Sequence, residues 1–332
     1  MEVEVGMPLL EVVDLKKYFP VEGGVIDRLL GRVKGYVKAV DGVSFTVDRG
    51  ETLALIGESG CGKTTTGKLV LRLLEPTSGK VIFDGVDITR LKGEDLRRLR
   101  RKMQMIFQDP FANLDPRMPV GDQIAEPLVE HGIMEWEEAR EEAYKMLERV
   151  GLTPVEDFYD RLPLNLSGGQ RQRVVIARAM ALKPDFVVAD EAVSMIDVSM
   201  RASIVKLLLR FKEEFNQAMI FITHDISVGR LVADRIAVMY LGKIVEIGGT
   251  EQVINNPAHP YTQALLAAVP TIEEKKLKMK LEIKGEVADP KNVPPGCRFH
   301  PRCPLATDIC MKKEPEMIEV ENGHFVACHH HI

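Results

Sequence analysis

The chain of 332 residues has no excess of positive charge: 44 Lys and Arg stand against 49 Asp and Glu, a formal net charge of −5. A protein that binds nucleic acid by neutralising phosphates needs a basic face, so that class is disfavoured at the outset. Long apolar runs are also missing. Phe186 to Ala189 and Met219 to Ile222 have the length of strands, far below the ~20 residues that cross a bilayer. The start, Met1-Glu2-Val3-Glu4, lacks a basic region followed by an apolar core. It does not read as a secretory signal, and the expectation is a cytosolic or peripheral protein. Cysteine is nearly absent from the body of the chain: Cys61 stands alone, while Cys297, Cys303, Cys310 and Cys328 crowd near the end. In a cytosolic protein such clustering argues for metal before disulfides.

What is present begins with Gly57-Glu58-Ser59-Gly60-Cys61-Gly62-Lys63-Thr64, set between the apolar run Thr52 to Ile56 and the helix-like run Lys63 to Leu74. Strand, glycine loop and helix in that order form a phosphate-binding loop. The glycines let the backbone turn tightly and present successive N–H groups, and the helix start adds its positive dipole end. Lys63 is expected on the β and γ phosphates and the Thr64 hydroxyl on magnesium.

The remaining pattern alternates strands with helices, several strands being almost wholly apolar, which indicates an α/β protein with a mostly parallel sheet. From about 109 to 170 helical periodicity takes over. Trp136 to Val150 turns Ala139, Ala143, Met146, Leu147 and Val150 to one face, as in a helical insertion. Near residue 247 composition shifts toward proline and charge, so residues 1–247 read as the main domain and 248–332 as a C-terminal extension. The glycine-rich stretch Gly23 to Gly35 reads as a surface excursion and Glu273 to Lys280 as a solvated linker.

Three further stretches carry chemistry. Phe186-Val187-Val188-Ala189 ends in Asp190-Glu191, which places Asp190 toward magnesium and Glu191 where it orients or deprotonates water. His224 follows the apolar run ending at Thr223, at a strand end where ligands bind in open α/β sheets. In Leu166-Ser167-Gly168-Gly169-Gln170, Ser167 caps a glycine-lined helix start that forms a second anion-facing surface.

These residues resemble the ATPases of ABC transporters over about 9–247. The order is phosphate loop, Gln108 as the Q-loop, Leu166 to Gln170 as the signature, Asp190-Glu191, Ser194-Met195-Ile196-Asp197 as the D-loop, and His224 as the switch histidine. The resemblance implies a P-loop fold that binds ATP through Gly57, Glu58, Ser59, Gly60, Cys61, Gly62, Lys63, Thr64 and Thr65. It implies Phe19, with Tyr18 as runner-up, stacked on adenine. Thr64, Gln108 and Asp190 would hold Mg2+, and Glu191, His224 and Gln108 would serve hydrolysis. Leu166, Ser167, Gly168, Gly169, Gln170 and Asp197 would serve the nucleotide shared with a second subunit. One departure is Ala192-Val193, where the family has Pro-Thr.

Asn256-Pro257-Ala258-His259-Pro260-Tyr261-Thr262 and Gly296-Cys297-Arg298-Phe299-His300-Pro301-Arg302-Cys303-Pro304 resemble the C-terminal extension of dipeptide and oligopeptide importer ATPases, and the N-terminal excursion around Gly23 to Gly35 resembles the second of the two ATPase subunits in such importers. That implies a heterodimer with a homologous ATPase, two transmembrane permease subunits, an extracytoplasmic substrate-binding protein, no nucleic acid, and residence on the cytoplasmic face of the membrane. An oligosaccharide importer and a soluble ABC ATPase that does not transport are the rival readings. The tail, short of apolar material for its own core, is expected to need a staple on Cys297, Cys303, Cys310 and Cys328. A structural zinc, two disulfides or no staple stay open beside the [4Fe–4S] cluster that the resemblance favours.

Overall fold

Apolar runs and amphipathic stretches resolve into alternating strands and helices in a computed structural model, which describes residues 7–22, 33–268, 285 and 289–331. Strands β1 (Leu10–Glu22), β2 (Val33–Val47) and β3 (Thr52–Ile56) lead to helix α1 (Lys63–Val70) and strands β4 (Ser78–Phe83) and β5 (Val86–Asp87). Next come α2 (Gly93–Lys102), β6 (Met103–Ile106), α3 (Val120–Glu130), α4 (Trp136–Arg149), α5 (Val155–Tyr159), α6 (Gly168–Ala181), β7 (Phe186–Asp190), α7 (Val198–Phe215) and β8 (Ala218–Thr223). The chain closes with α8 (Ile226–Val232), β9 (Arg235–Tyr240), β10 (Lys243–Gly249), α9 (Thr250–Asn255), α10 (Pro260–Ala267), α11 (Asp308–Lys312) and the hairpin β11 (Ile318–Glu321), β12 (His324–Val326). Among the described residues no helix is long and apolar enough to cross a membrane. Residues 23–32 of the expected excursion, and the expected linker Glu273 to Lys280, lie outside the described residues.

The elements form two units: 1–47, 52–89 and 223–332 in the first, 48–51 and 90–222 in the second. In the first, β2, β1, β4 and β5 make an antiparallel sheet in that order. Its last hairpin turns on Asp84-Gly85, both left-handed (φ 51 and 76), between the paired Phe83 and Val86. Two such residues give the tight turn whose twist suits a hairpin. A second layer runs β3 parallel to β9, β9 antiparallel to β10, and the hairpin β11–β12 laid on β10. Every residue of β3 is buried, as an unbroken apolar run requires. Ile56, Val238 and Tyr240 share one core with Tyr261 and Phe299. The described part of the C-terminal extension thus belongs to the unit that carries the phosphate loop.

In the second unit β6, β7 and β8 are parallel neighbours, with Ile106 opposite Ala189 and Asp190 opposite Ile222. Helices α3 to α6 follow β6, and α4 buries Ala139, Ala143, Met146 and Leu147 as its periodicity predicts. Burying Leu147 alone contributes roughly 1.5–3 kcal/mol. Tyr159 stacks on Tyr144 at 4.5 Å between ring centroids and donates its hydroxyl to Asp122 at 2.9 Å. Gly121 passes under that ring so closely that a Cβ would lie 2.3 Å from it. One expectation fails in length: α1 ends at Val70, not Leu74. Arg72 takes φ 53 and donates from Nε to the Ile88 carbonyl at 3.1 Å, which turns the chain before Pro76.

Candidate nucleotide-binding site

Within the first unit, β3 delivers the chain to Gly57, which is packed against β9: a Cβ there would lie 2.3 Å from the Met239 carbonyl oxygen. Gly60 and Gly62 take φ 80 and 109, a region open to glycine at little cost. Gly62 is also walled in, since its Cβ would meet the Ala39 carbonyl oxygen at 2.3 Å. Helix α1 starts at Gly62 with no side-chain cap. Lys63 is buried, and its ammonium donates to the carbonyls of Gly57 (2.7 Å) and Glu58 (3.0 Å). Ser59 and Gly60 are exposed, Glu58, Thr64 and Thr65 half-buried, and Cys61 buried, its thiol pushed up by that burial. Both aromatic candidates lie on β1. Phe19 is 37% exposed with Lys17 over its ring, whereas Tyr18 donates its hydroxyl to Asp41 and has its own pKa pushed up to about 12 by burial and that bond. His224, exposed, follows β8, and Asp225 caps α8 by accepting from Ser227 N–H at 2.9 Å.

Within the second unit, buried Asp190 ends β7 and Glu191 follows it. Glu191 adopts φ 46, a left-handed conformation that costs a non-glycine residue energy. Local bonds hold it there. Its N–H donates to the Ile222 carbonyl at 3.0 Å, and its own carbonyl accepts from Ser194 N–H (3.0 Å) and Oγ (2.9 Å). Its carboxylate accepts from Gln108 Nε2 at 3.0 Å, so two residues 83 positions apart meet at the strand ends. Ala192 and Val193, the departure from the family pattern, are buried behind this turn. Asp197 is the exposed N-cap residue of α7.

The signature is a capping box. Exposed Ser167 Oγ accepts from Gln170 N–H at 3.3 Å, and Gln170 Oε1 accepts from Ser167 N–H at 2.9 Å. Leu166 is buried beneath it, and Gly168 and Gly169 are half-buried. Arg171 points into the second unit, donating to the Pro163 carbonyl at 2.6 Å while its guanidinium lies 3.9 Å from the Phe111 ring centre. Arg173 binds the Val150 carbonyl and Ser203 Oγ.

The tail corrects the sequence reading. Among the described residues no group of three or more His, Cys, Asp or Glu side chains could hold a metal ion, so the iron–sulfur [4Fe–4S] assignment on Cys297, Cys303, Cys310 and Cys328 is withdrawn, and zinc gains no support. All five cysteines are free thiols. Burial pushes the thiols of Cys297 and Cys303 up, and that of Cys328 to about 11. The histidines nearby are engaged otherwise: His329 Nε2–H donates to the Lys313 carbonyl at 2.8 Å, and His324 bonds Glu246 at 2.8 Å. The tail is not without a core. Phe299 is 1% exposed and packs against Tyr240 and Tyr261 with ring centres 5.3 Å away in each case. The tail is stapled by the core of the first unit.

Nothing in the sequence marked Tyr261 and Arg302 as neighbours of the loop. Yet Glu58 N–H donates to Tyr261 Oη at 3.0 Å, and Arg302 donates to both Glu58 carboxylate oxygens at 2.6 and 3.0 Å.

A phosphate loop after a buried strand, a strained glutamate paired with a glutamine, and a self-capped Ser-Gly-Gly helix start define an ATP-binding cassette. Residues 40–194 match the family model for ABC transporters, and 245–310 that for the C-terminal region of oligopeptide/dipeptide transporters. The chain is 48% identical to the oligopeptide transport ATP-binding protein AppF of Bacillus subtilis over 97% of each chain. It is 44% identical to the dipeptide transport ATP-binding protein DppF of Haemophilus influenzae, over 99% of this chain and 98% of that one. A solved dimeric ATP-binding cassette in a post-hydrolysis state with ADP and Pi is 30% identical with TM-score 0.64, covering 73% of this chain and 98% of its own. The chain therefore belongs to the ATP-binding proteins of ABC transporters, in the branch that carries the oligopeptide/dipeptide C-terminal region.

Proposed function

We propose that this ATPase powers uptake of dipeptides or oligopeptides through separate membrane subunits, from the cytoplasmic face of the membrane. The observation that carries the peptide assignment is the match of 245–310 to the oligopeptide/dipeptide region, beside near-full-length identity to two peptide-transport ATPases. In this reading Lys63 and the N–H groups from Gly60 to Thr65 bind the phosphates, and Phe19 stacks on adenine. Its exposure on β1 supports Phe19 over Tyr18, whose hydroxyl is committed to Asp41. The family implies Mg2+. Thr64, Gln108 and Asp190 offer the hard oxygen donors that suit it, and bound there it would neutralise charge on the phosphates. Glu191, held by Ile222 and Ser194 and bonded to Gln108, orients and deprotonates the attacking water. His224 assists hydrolysis.

Ser167, Gly168, Gly169 and Asp197 serve the nucleotide of a homologous second ATPase, so the working unit is a heterodimer on two permease subunits fed by an extracytoplasmic binding protein. The test is co-purification of the full chain with those subunits, followed by ATPase assay in vesicles. Stimulation by a peptide-loaded binding protein is expected. Stimulation only by an oligosaccharide-loaded one would replace the substrate, and no membrane partner would replace the role.

A further inference from the structure

Glu58, between Gly57 and Ser59, is gripped on three sides. Its N–H donates to Tyr261 Oη (3.0 Å), its carbonyl accepts from Lys63 Nζ (3.0 Å), and its carboxylate takes both terminal nitrogens of Arg302 (2.6 and 3.0 Å). Two of the three partners come from the C-terminal segment, 203 and 244 residues further along the chain. Neither is a casual surface contact: Tyr261 is fully buried against Tyr240 and Phe299, and the Arg302 side chain is 9% exposed. The same segment reaches β2 as well, at Asp41. Buried Arg298 donates to the Asp41 carboxylate and the Leu241 carbonyl, and Asp41 also accepts the Tyr18 hydroxyl.

The chemistry of the loop makes these grips consequential. A loop that must present N–H groups to an anion carries its own carboxylate at Glu58, and an uncompensated negative charge there opposes the triphosphate. A bidentate guanidinium neutralises that charge and fixes its direction. A loop with glycine at 57, 60 and 62 also loses much conformational freedom when it orders, and a loop already pinned through its Glu58 peptide loses less on binding.

We propose that Arg302 and Tyr261 are positioning residues for ATP: the C-terminal segment neutralises Glu58 and holds the phosphate loop, and so sets nucleotide affinity from outside the cassette motifs. The proposal rests on the ATPase reading, so the first arm is MgATP binding by the wild-type full chain, whose absence would sink that reading and not this one. Arg302→Met is expected to raise the Kd and KM for MgATP about tenfold with kcat little changed, the size of losing one charge-assisted bidentate pair. Arg302→Lys should recover part of the loss. Glu58→Gln added to Arg302→Met should restore most of the affinity, because the charge that needed compensation is gone. A merely structural Arg302 would not be rescued in this way. Tyr261→Phe, which deletes one hydroxyl and keeps the ring, should weaken binding a fewfold and keeps the idea testable should Arg302→Met not fold. A folded Arg302→Met chain that binds MgATP within twofold of wild type overturns the proposal. So does a double variant no better than the single one, or Tyr261→Phe with unchanged affinity.

Discussion

Two helix starts in this chain read alike in sequence, each a glycine-rich turn ready for an anion, and the structure makes them opposites. At Gly62 the helix has no side-chain cap, and the loop before it is wedged against the backbone of Met239 and Ala39 and gripped through Glu58. At Ser167 the helix caps itself through Gln170, and the serine stands exposed. The first spends backbone freedom and long-range contacts on a fixed cradle. The second pairs Ser167 and Gln170 within its own first turn. Under the proposed function, the loop held by distant residues is the one that binds nucleotide in its own chain, and the locally capped start is the surface offered to a partner.

The contrast between binding and hydrolysis breaks most sharply at Glu191. Glu191→Gln should keep MgATP affinity while lowering turnover at least about a hundredfold, several kcal/mol of barrier, in a steady-state ATPase assay. Turnover within a fewfold of wild type would remove Glu191 from the chemistry.

Acid should weaken the supports of the phosphate loop. His259 is fully buried, Nδ1 accepts from Tyr261 N–H at 3.0 Å, and burial lowers its pKa from 6.5 to about 4. The unfolded chain therefore binds the proton first. Stability is complete above about pH 6.5 and drains away as pH falls toward 4, by about 3 kcal/mol. Urea unfolding at pH 7.5 and pH 4.5 measures this, and His259→Asn, which can still accept at the helix cap, should flatten the slope. An unchanged slope would place the proton elsewhere.

The smallest effect is expected at the self-capped start. Gln170→Ala removes half of the capping box and should cost about 1 kcal/mol or less of stability, read as a small fall in Tm. A large loss would mean that Ser167 is not as self-contained as its hydrogen bonds indicate.

Much of this was legible in the sequence. The unbroken apolar runs at Thr52 to Ile56 and Phe186 to Ala189 are buried strands, and the periodicity of Trp136 to Val150 gave the inward face of α4. Local motifs fix local structure, so the loop and the capping box follow from their residues. What stayed hidden depends on contacts hundreds of positions apart. Arg302 meets Glu58 across 244 residues, and no spacing rule announces that. Phe299 looked like one aromatic in a proline-rich tail because its partners Tyr240 and Tyr261 lie elsewhere in the chain, which is why a metal was expected where a borrowed core suffices. The left-handed Glu191 was equally invisible, since nothing in its neighbours' identity demands φ 46.

The most direct test compares two variants of the full chain alone, by titration with MgATP. Under the proposed function, Lys63→Ala should raise Kd tenfold or more, because a charge is taken from the phosphates, whereas Ser167→Arg should leave Kd within about twofold, because that surface would serve another chain's nucleotide. Equal weakening in both variants, or wild-type affinity in Lys63→Ala, would contradict the division of labour between the two helix starts.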